Sequence, residues 1–347
     1  MAYKFFYIGD FKSNNGPGIA NRNLKRGIKQ AMMEHPGSYK VYFSRRSCLP
    51  SRIWEMIQYI AWSDFVCICN YTRLHLFAAW LAKKMKKKCI YRLHGYATYE
   101  SQVNHPNMDK KSWNRVHRQE SFLFKHMDKI ICVSKISKDY MVGQEPLYAN
   151  KFHYCYNAVN YQKIENLIGV KKNSGKDKCL ILSVGGGMPQ KNNLTVAKGI
   201  QILQRKHPEI SFEYTIVGAA YTQKDALCHY SFVKYYDHLH HKQLLEKMKE
   251  SDIYIQDSTF DTFNLSAIEA LMCGCSLLLS KNIGALGIFE NISSRNIIYS
   301  VKDAEEISEK IWSIYICPNY SELKQAIKYQ LIDTQMVAER FIELCIQ

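Results

Sequence analysis

Apolar residues in this chain fall into two kinds of stretch. Short runs of aliphatic, aromatic and β-branched side chains occur at Tyr3–Gly9, Tyr39–Phe43, Phe65–Cys69, Cys89–Leu93, Lys129–Val133 and Lys151–Tyr156. Runs of that length and content predict strands buried in a sheet. Between them, apolar positions recur at helical spacing. That predicts helices over Ile19–Glu34, Pro50–Ala61, Leu74–Lys87 and Lys135–Val142, and one ending near Met127. On Leu74–Lys87 the expected packing face is Leu76, Phe77, Trp80 and Leu81. A polar, His-rich excursion, Tyr96–Lys111, leads into the helix that ends near Met127.

The pattern breaks at Asn160–Lys178, which is rich in Lys and Asn, and then restarts. Strands are expected at Cys179–Val184, Phe212–Val217, Ser231–Tyr235, Asp252–Gln256, Cys275–Ser280 and Ile297–Ser300. Helices are expected at Asn193–Lys206 and Lys242–Ser251, and an amphipathic one at Ile332–Ile346. Strand–helix alternation of this kind predicts α/β architecture, a parallel sheet covered on both faces. The expected organisation is a doubly wound domain over 1–160, a linker over 161–178 and a second doubly wound domain over 179–331. The final helix, 332–347, is expected to pack back on the first domain.

The stretch Ser258–Gly274, STFDTFNLSAIEALMCG, sits between two of these strands. It reads as a polar turn, then an apolar helix carrying Glu269. A helix N-terminus at the end of a parallel strand favours an anion, typically phosphate. A second loop, Gly185-Gly-Gly187, follows a strand and leads to Lys191, a cation of the kind that reaches a diphosphate. A third, Gly16-Pro-Gly18, lets backbone approach a ligand. Neither glycine loop is a dinucleotide fingerprint or a P-loop: the chain lacks GxGxxG, and Gln190 stands where the second loop would need glycine. His94-Gly95 ends a strand, where a His can hydrogen-bond a sugar or act as an acid or base, although a satisfied structural His is in isolation the more common case.

Composition changes the picture in two places. The chain has 347 residues, 47% of them apolar, enough for two cores. Its net charge is +16, and the excess lies in one half. Residues 1–165 hold 27 Lys and Arg against 11 Asp and Glu; residues 166–347 hold 20 of each. An acidic partner of the first half is expected, the candidates being an anionic membrane surface, a phosphorylated acceptor or nucleic acid; a merely solvated Lys-rich face is the alternative. Nucleic acid would explain the charge but not the loops of the second half, and is not expected. The twelve cysteines include no CxxC pair. Cys67, Cys69, Cys89, Cys132, Cys179 and Cys275 stand singly in apolar runs and read as core residues in a reducing cytosol. No secretory leader or membrane-spanning run is evident, so a cytoplasmic protein is expected, peripheral on the cytoplasmic face of the membrane.

Taken in order, the motifs resemble those of a retaining glycosyltransferase of the GT-B fold, in glycosyltransferase family four. The resemblance rests on Gly16-Pro-Gly18, His94-Gly95, VSKISKDY (Val133–Tyr140), YNAVN (Tyr156–Asn160), SVGGGMPQKNN (Ser183–Asn193) and EALMCG (Glu269–Gly274). It implies two Rossmann-like domains facing an interdomain cleft. It further implies transfer of a sugar from a UDP- or GDP-sugar donor to a saccharide acceptor, lipid-linked, in surface polysaccharide or lipopolysaccharide assembly.

On that resemblance Lys191 holds the diphosphate, Asp261 the donor-sugar hydroxyls and Glu269 the ribose. The backbone from Thr262 through Phe263 and Asn264 to Leu265 binds phosphate and sugar. Leu239 borders the base, Gly187 lies beside the donor, and His94, Gly16 and Gly18 approach from the first domain. The nucleotide-sugar is a substrate, so no cofactor is implied, and the lack of DxD implies no metal. Three departures stand out. Asp261 replaces a glutamate, Gly186 replaces an arginine, and DTFN replaces an EGFG turn. They keep two alternatives open: a non-catalytic GT-B sugar-binding or partner subunit, and a nucleotide-sugar 2-epimerase.

Overall fold

The structure is a computed structural model that describes residues 2–168 and 177–347. The chain divides into two compact units. One comprises 1–102, 107–159 and 329–347; the other comprises 103–106 and 160–328.

The first unit runs β1 (Tyr3–Ile8), α1 (Gly16–Glu34), β2 (Tyr39–Phe43), α2 (Leu49–Trp62), β3 (Phe65–Ile68), α3 (Arg73–Lys84), β4 (Lys88–Leu93), α4 (Ala97–Asn104), α5 (Lys110–His126), β5 (Lys129–Cys132), α6 (Lys135–Gln144) and β6 (Phe152–Tyr154). The second unit opens with α7 (Tyr161–Ile168) and continues β7 (Lys178–Val184), α8 (Asn193–Lys206), β8 (Ser211–Val217), α9 (Lys224–Cys228), β9 (Val233–Tyr236), α10 (His241–Glu250), β10 (Ile253–Gln256), α11 (Leu265–Met272), β11 (Ser276–Ser280), β12 (Ile297–Ile298), α12 (Ala304–Ile316) and α13 (Tyr320–Ala326). The last helix, α14 (Thr334–Ile346), counts with the first unit.

Each unit is built on a six-stranded sheet, ordered β2-β1-β3-β4-β5-β6 in the first and β12-β11-β10-β7-β8-β9 in the second. All pairings are parallel, for example Phe5 with Phe65 and Ile253 with Ser276. Helices cover both faces, so strands such as β3, β10 and β11 are buried at every residue. This is the doubly wound α/β architecture, and the pair of sheets is the GT-B fold. Strand order reverses between β1 and β3 in the first unit and between β7 and β10 in the second. Crevices at those two switch points, at the carboxyl ends of the strands, are where such sheets bind ligands.

Local chemistry fixes the helix starts. Asn15 caps α1 by accepting from the Gly18 amide, with Pro17 in the first turn. Asp109, Asp303 and Asp333 cap α5, α12 and α14 in the same way. On one face of the first sheet, α14 lies against α1. Val337, Ala338 and Phe341 join Tyr7, Leu24 and Ile28 in one core. A Cβ on Gly27 would run into the Thr334 carbonyl, so glycine sets how closely these helices approach.

Several elements differ from those the pattern predicts. The Tyr96–Lys111 excursion contains a helix, α4. The strand expected at Lys151–Tyr156 is only Phe152–Tyr154, and it follows a short 3₁₀ turn, Pro146–Lys151. The segment expected as a linker, 161–178, holds α7 and the first residue of β7; its residues 169–176 lie outside the described residues. The fully buried face of α3 is His75, Ala78, Ala79 and Ala82; of the four residues expected to pack, Leu76 and Leu81 are half-buried against that core, Phe77 is half-buried and Trp80 is exposed. Alanines let the helix lie close on the sheet, and the larger side chains are displaced to its flanks and outer side. All six core cysteines are buried and free.

Candidate active site

In the second unit the two expected loops flank the β7/β10 switch point. The Gly185–Lys191 loop leaves β7, and Asp257–Asn264 leaves β10. Lys191 closes a short 3₁₀ turn begun by Pro189. Its Nζ lies 2.5 Å from Asp261 Oδ2, with the lysine side chain 18% and the aspartate side chain 10% exposed. Asp261 Oδ2 also accepts from Asn264 Nδ2 at 3.0 Å, and Oδ1 accepts from the Phe263 amide at 3.2 Å. Lys191 and Asp261, expected to hold diphosphate and sugar respectively, are thus brought together and paired with each other. The shorter side chain of an aspartate suits this: it folds back on its own turn and on Lys191.

The DTFN turn loses its glycines without losing its shape. Asn264 adopts φ +67°, and asparagine tolerates this left-handed region better than other side chains. Its Oδ1 accepts from the Ala267 amide and caps α11. Two amides of this helix entrance are therefore already bonded from within, Phe263 by Asp261 and Ala267 by Asn264. Of the phosphate cradle expected over Thr262–Leu265, the Phe263 amide is thereby occupied.

Glu269 lies on α11, buried, and its Oε1 is 2.9 Å from His241 Nε2. His241 opens α10 and its side chain is 42% exposed. Leu239 is half-buried in the turn before α10. Sequence reasoning missed His241; its only signal is the run DHLHH at 237–241.

The glycine loop turns away from the role expected of it. The amides of Gly185 and Gly186 both donate to Val217 O, and that of Gly187 donates to Ala219 O. Gly187 O accepts from the Gln223 amide. Gly187, expected beside the donor, has both backbone groups engaged by the end of β8 and the segment after it. Gly186 has φ +60°, and a Cβ there would strike the Ala219 carbonyl and the Gly218 backbone. Glycine in place of arginine follows from this backbone crossing. Gly186→Arg is therefore expected to lower stability by about 3 kcal/mol or more, without adding a working cation. Thermal unfolding beside a transfer assay checks this; a stable and faster variant would refute it.

In the first unit, Asn21 on α1 joins the ends of β1, β3 and β4. Its Nδ2 donates to Asp10 O and Cys69 Sγ, and its Oδ1 accepts from Tyr7 OH at 3.0 Å. His94 Nε2 lies 3.0 Å from the same Oδ1. Asp10 O only accepts, which fixes the amide orientation, so His94 carries its proton on Nε2 and Nδ1 is its accepting nitrogen. Burial pushes the His94 pKa down to about 3, and the nearby Arg92 cation adds to the effect. A neutral imidazole at neutral pH follows. It is suited to hydrogen bonding, not to general acid work. Gly18 packs on Ser13 through its missing Cβ, whereas Gly16 is exposed with open space around it.

Two family descriptions match, in tandem. Residues 22–163 match Glycosyltransferase Family 4, and residues 166–331 match Glycosyl transferases group 1. These matches and the fold group the chain with the GT-B glycosyltransferases. Among solved structures, HepE from Anabaena in complex with UDP and glucose is similar at TM-score 0.68 and 13% identity, over 99% of each chain. Sucrose-phosphate synthase from Thermosynechococcus elongatus is similar at 0.71 and 14%, over 99% of this chain and 98% of that one.

Among curated proteins, the phosphatidylinositol N-acetylglucosaminyltransferase GPI3 subunit of Saccharomyces cerevisiae is 22% identical over 57% of this chain and 46% of its own length. The match thus spans about half of that relative. An uncharacterized 41.2 kDa protein in the cps region of Klebsiella pneumoniae is 26% identical over 73% of this chain and 68% of its own. No helix among the described residues is long and apolar enough to cross a membrane.

Proposed function

We propose that the protein is a metal-independent, retaining glycosyltransferase of family four. It moves a sugar from a UDP- or GDP-sugar to a lipid-linked saccharide, in surface polysaccharide or lipopolysaccharide assembly on the cytoplasmic face of a membrane. The observation that carries this is the constellation at the β7/β10 switch point. There a lysine, a helix entrance and a buried carboxylate follow the strands where a nucleoside diphosphate sugar would lie. The relatives favour the acceptor class, since one is named for transfer to phosphatidylinositol and another lies in a cps region.

In this reading Lys191 and the α11 entrance stabilise charge on the leaving diphosphate. Glu269, held by His241, takes the ribose hydroxyls. Asp261, Thr262 and Asn264 contact the donor sugar, Phe263 and Leu265 shape the turn, and Leu239 borders the base. His94 accepts a hydrogen bond from a hydroxyl, and Gly16 and Gly18 shape the approach on the first unit. The bond from the anomeric carbon to the diphosphate oxygen breaks as the bond from acceptor oxygen to that carbon forms on the same face. The acceptor proton passes to the departing diphosphate, so no protein nucleophile is required.

A thermal-shift screen with UDP, GDP and their sugars tests donor binding first, since a bound nucleotide raises apparent stability. The expected result is a shift with one base, lost in Glu269→Ala, and a product whose anomeric configuration matches the donor by NMR. An inverted product, or an epimerised donor formed without acceptor, would overturn the reading.

A further inference from the structure

The first unit leaves an unusual surface on α2 and α3. Their buried sides are Glu55, Met56 and Ile60 on α2, and His75 with three alanines on α3. What remains outward is apolar. The exposed positions of α2 are Leu49 at its first residue and then Pro50, Trp54, Ile57, Gln58 and Ala61, the last five spaced as one stripe of a helix. Trp54 is 57% exposed and Ile57 49%. On the neighbouring α3, Trp80 is 46% exposed, and Phe77 stacks on it with ring centres 6.0 Å apart.

Charge is the second, independent observation. The helices read LPSRIWEMIQYIAW (α2), RLHLFAAWLAKK (α3) and, packed on α3's other side, KKSWNRVHRQESFLFKH (α5). Their only acids, Glu55 and Glu120, are buried. Glu55 accepts from Tyr42 OH and the Arg45 and Arg46 amides. Glu120 accepts from the Ala97 and Thr98 amides and the Thr98 hydroxyl. Every charge these helices turn outward is a cation. The acids just beyond their ends bond backbone: Asp64 takes the Lys4 amide, Asp109 the Ser112 amide and Asp128 the Cys89 amide, the last also pairing Lys83. An ordinary solvated face mixes both signs. Tryptophans among cations that outnumber the nearby acids match the interface of an anionic bilayer, where indoles sit at headgroup depth and Lys and Arg meet lipid phosphates.

We propose that the outer face of α2 and α3, flanked by α5, is a docking surface for an anionic lipid bilayer. Trp54, Ile57 and Trp80 insert, and Arg52, Lys84 and Arg115 hold the headgroups. Docking through this face does not depend on sugar transfer.

The test floats the full chain with phosphatidylcholine vesicles, with and without phosphatidylglycerol. Binding is expected only with the anionic lipid and weakens as salt rises. Trp54→Ala/Trp80→Ala is expected to lose roughly tenfold or more in partitioning. Lys84→Glu/Arg115→Glu is expected to lose the preference for anionic lipid. Both pairs are exposed, so circular dichroism and melting temperature should match the parent. Absence of flotation at low salt, or undiminished flotation of the Trp pair, would overturn the proposal. So would Trp-dependent retardation by DNA, or a dimer that the Trp substitutions dissolve. The nucleotide thermal shift, read on the same variants, reports the donor site alone, so failure of either idea is seen separately.

Discussion

Lys191→Met lowers kcat for sugar transfer by about two to three orders of magnitude, the usual effect of removing one charged group from a site of developing negative charge. The structure adds a second consequence. Lys191 is the cation paired with Asp261, whose side chain is 10% exposed. Removing it leaves a nearly buried carboxylate held, among the described residues, by the Phe263 amide and Asn264 Nδ2. Breaking a buried pair from one side costs about 3–5 kcal/mol, and the lower end applies here because Lys191 keeps some solvent. That carboxylate would also repel an incoming diphosphate.

Lys191→Met/Asp261→Asn separates the two effects. Stability is expected to return toward the parent while kcat stays low. Asp261→Asn alone is expected to keep the fold and lose less rate than Lys191→Met. Urea unfolding and single-turnover transfer read the two quantities. If Lys191→Met transfers within about tenfold of the parent, the cation does not serve the leaving group and the assignment fails.

The strands were legible because parallel sheets buried on both faces make apolar runs such as FVCI and SLLLS. The helix faces were less so. On α3 the bulky residues looked like the core, but contact with a sheet is closest through small side chains, and alanines took that place. The site was legible as residues and not as partners. Lys191 and Asp261 stand 70 positions apart, Asn21 and His94 73, and His241 and Glu269 28. No local pattern records such pairings. Gly186 was visible as a missing arginine, yet its reason lies in Gly218 and Ala219, where the next strand's end crosses it. Asn264, by contrast, was open to reading, because asparagine is the ordinary substitute for glycine at positive φ.

Asp257→Asn removes a pH dependence from the second unit. Asp257 follows β10 and is fully buried. Its Oδ2 accepts from Asn192 Nδ2 at 2.5 Å and from the Lys302 amide at 3.2 Å, while Oδ1 has no hydrogen-bond partner among the described residues. Burial pushes its pKa up from the ordinary 3.8 to about 7, and Glu306 and Asp303 push the same way against those two hydrogen bonds. The folded chain therefore binds this proton more tightly than the unfolded one. The stability it contributes is fully present below about pH 4 and is lost as pH rises through about 7.

The asparagine keeps an oxygen for Asn192 and Lys302 and has no proton to lose. Between about pH 5 and about pH 8, stability of the variant relative to the parent is expected to rise by about 2–3 kcal/mol. Any fixed cost of the new amide is the same at both pH values and drops out of the comparison. Urea unfolding followed at the two pH values gives the difference directly. Parallel pH profiles for parent and variant would mean that Asp257 stays ionised in the fold throughout, held by donors stronger than the two it has here.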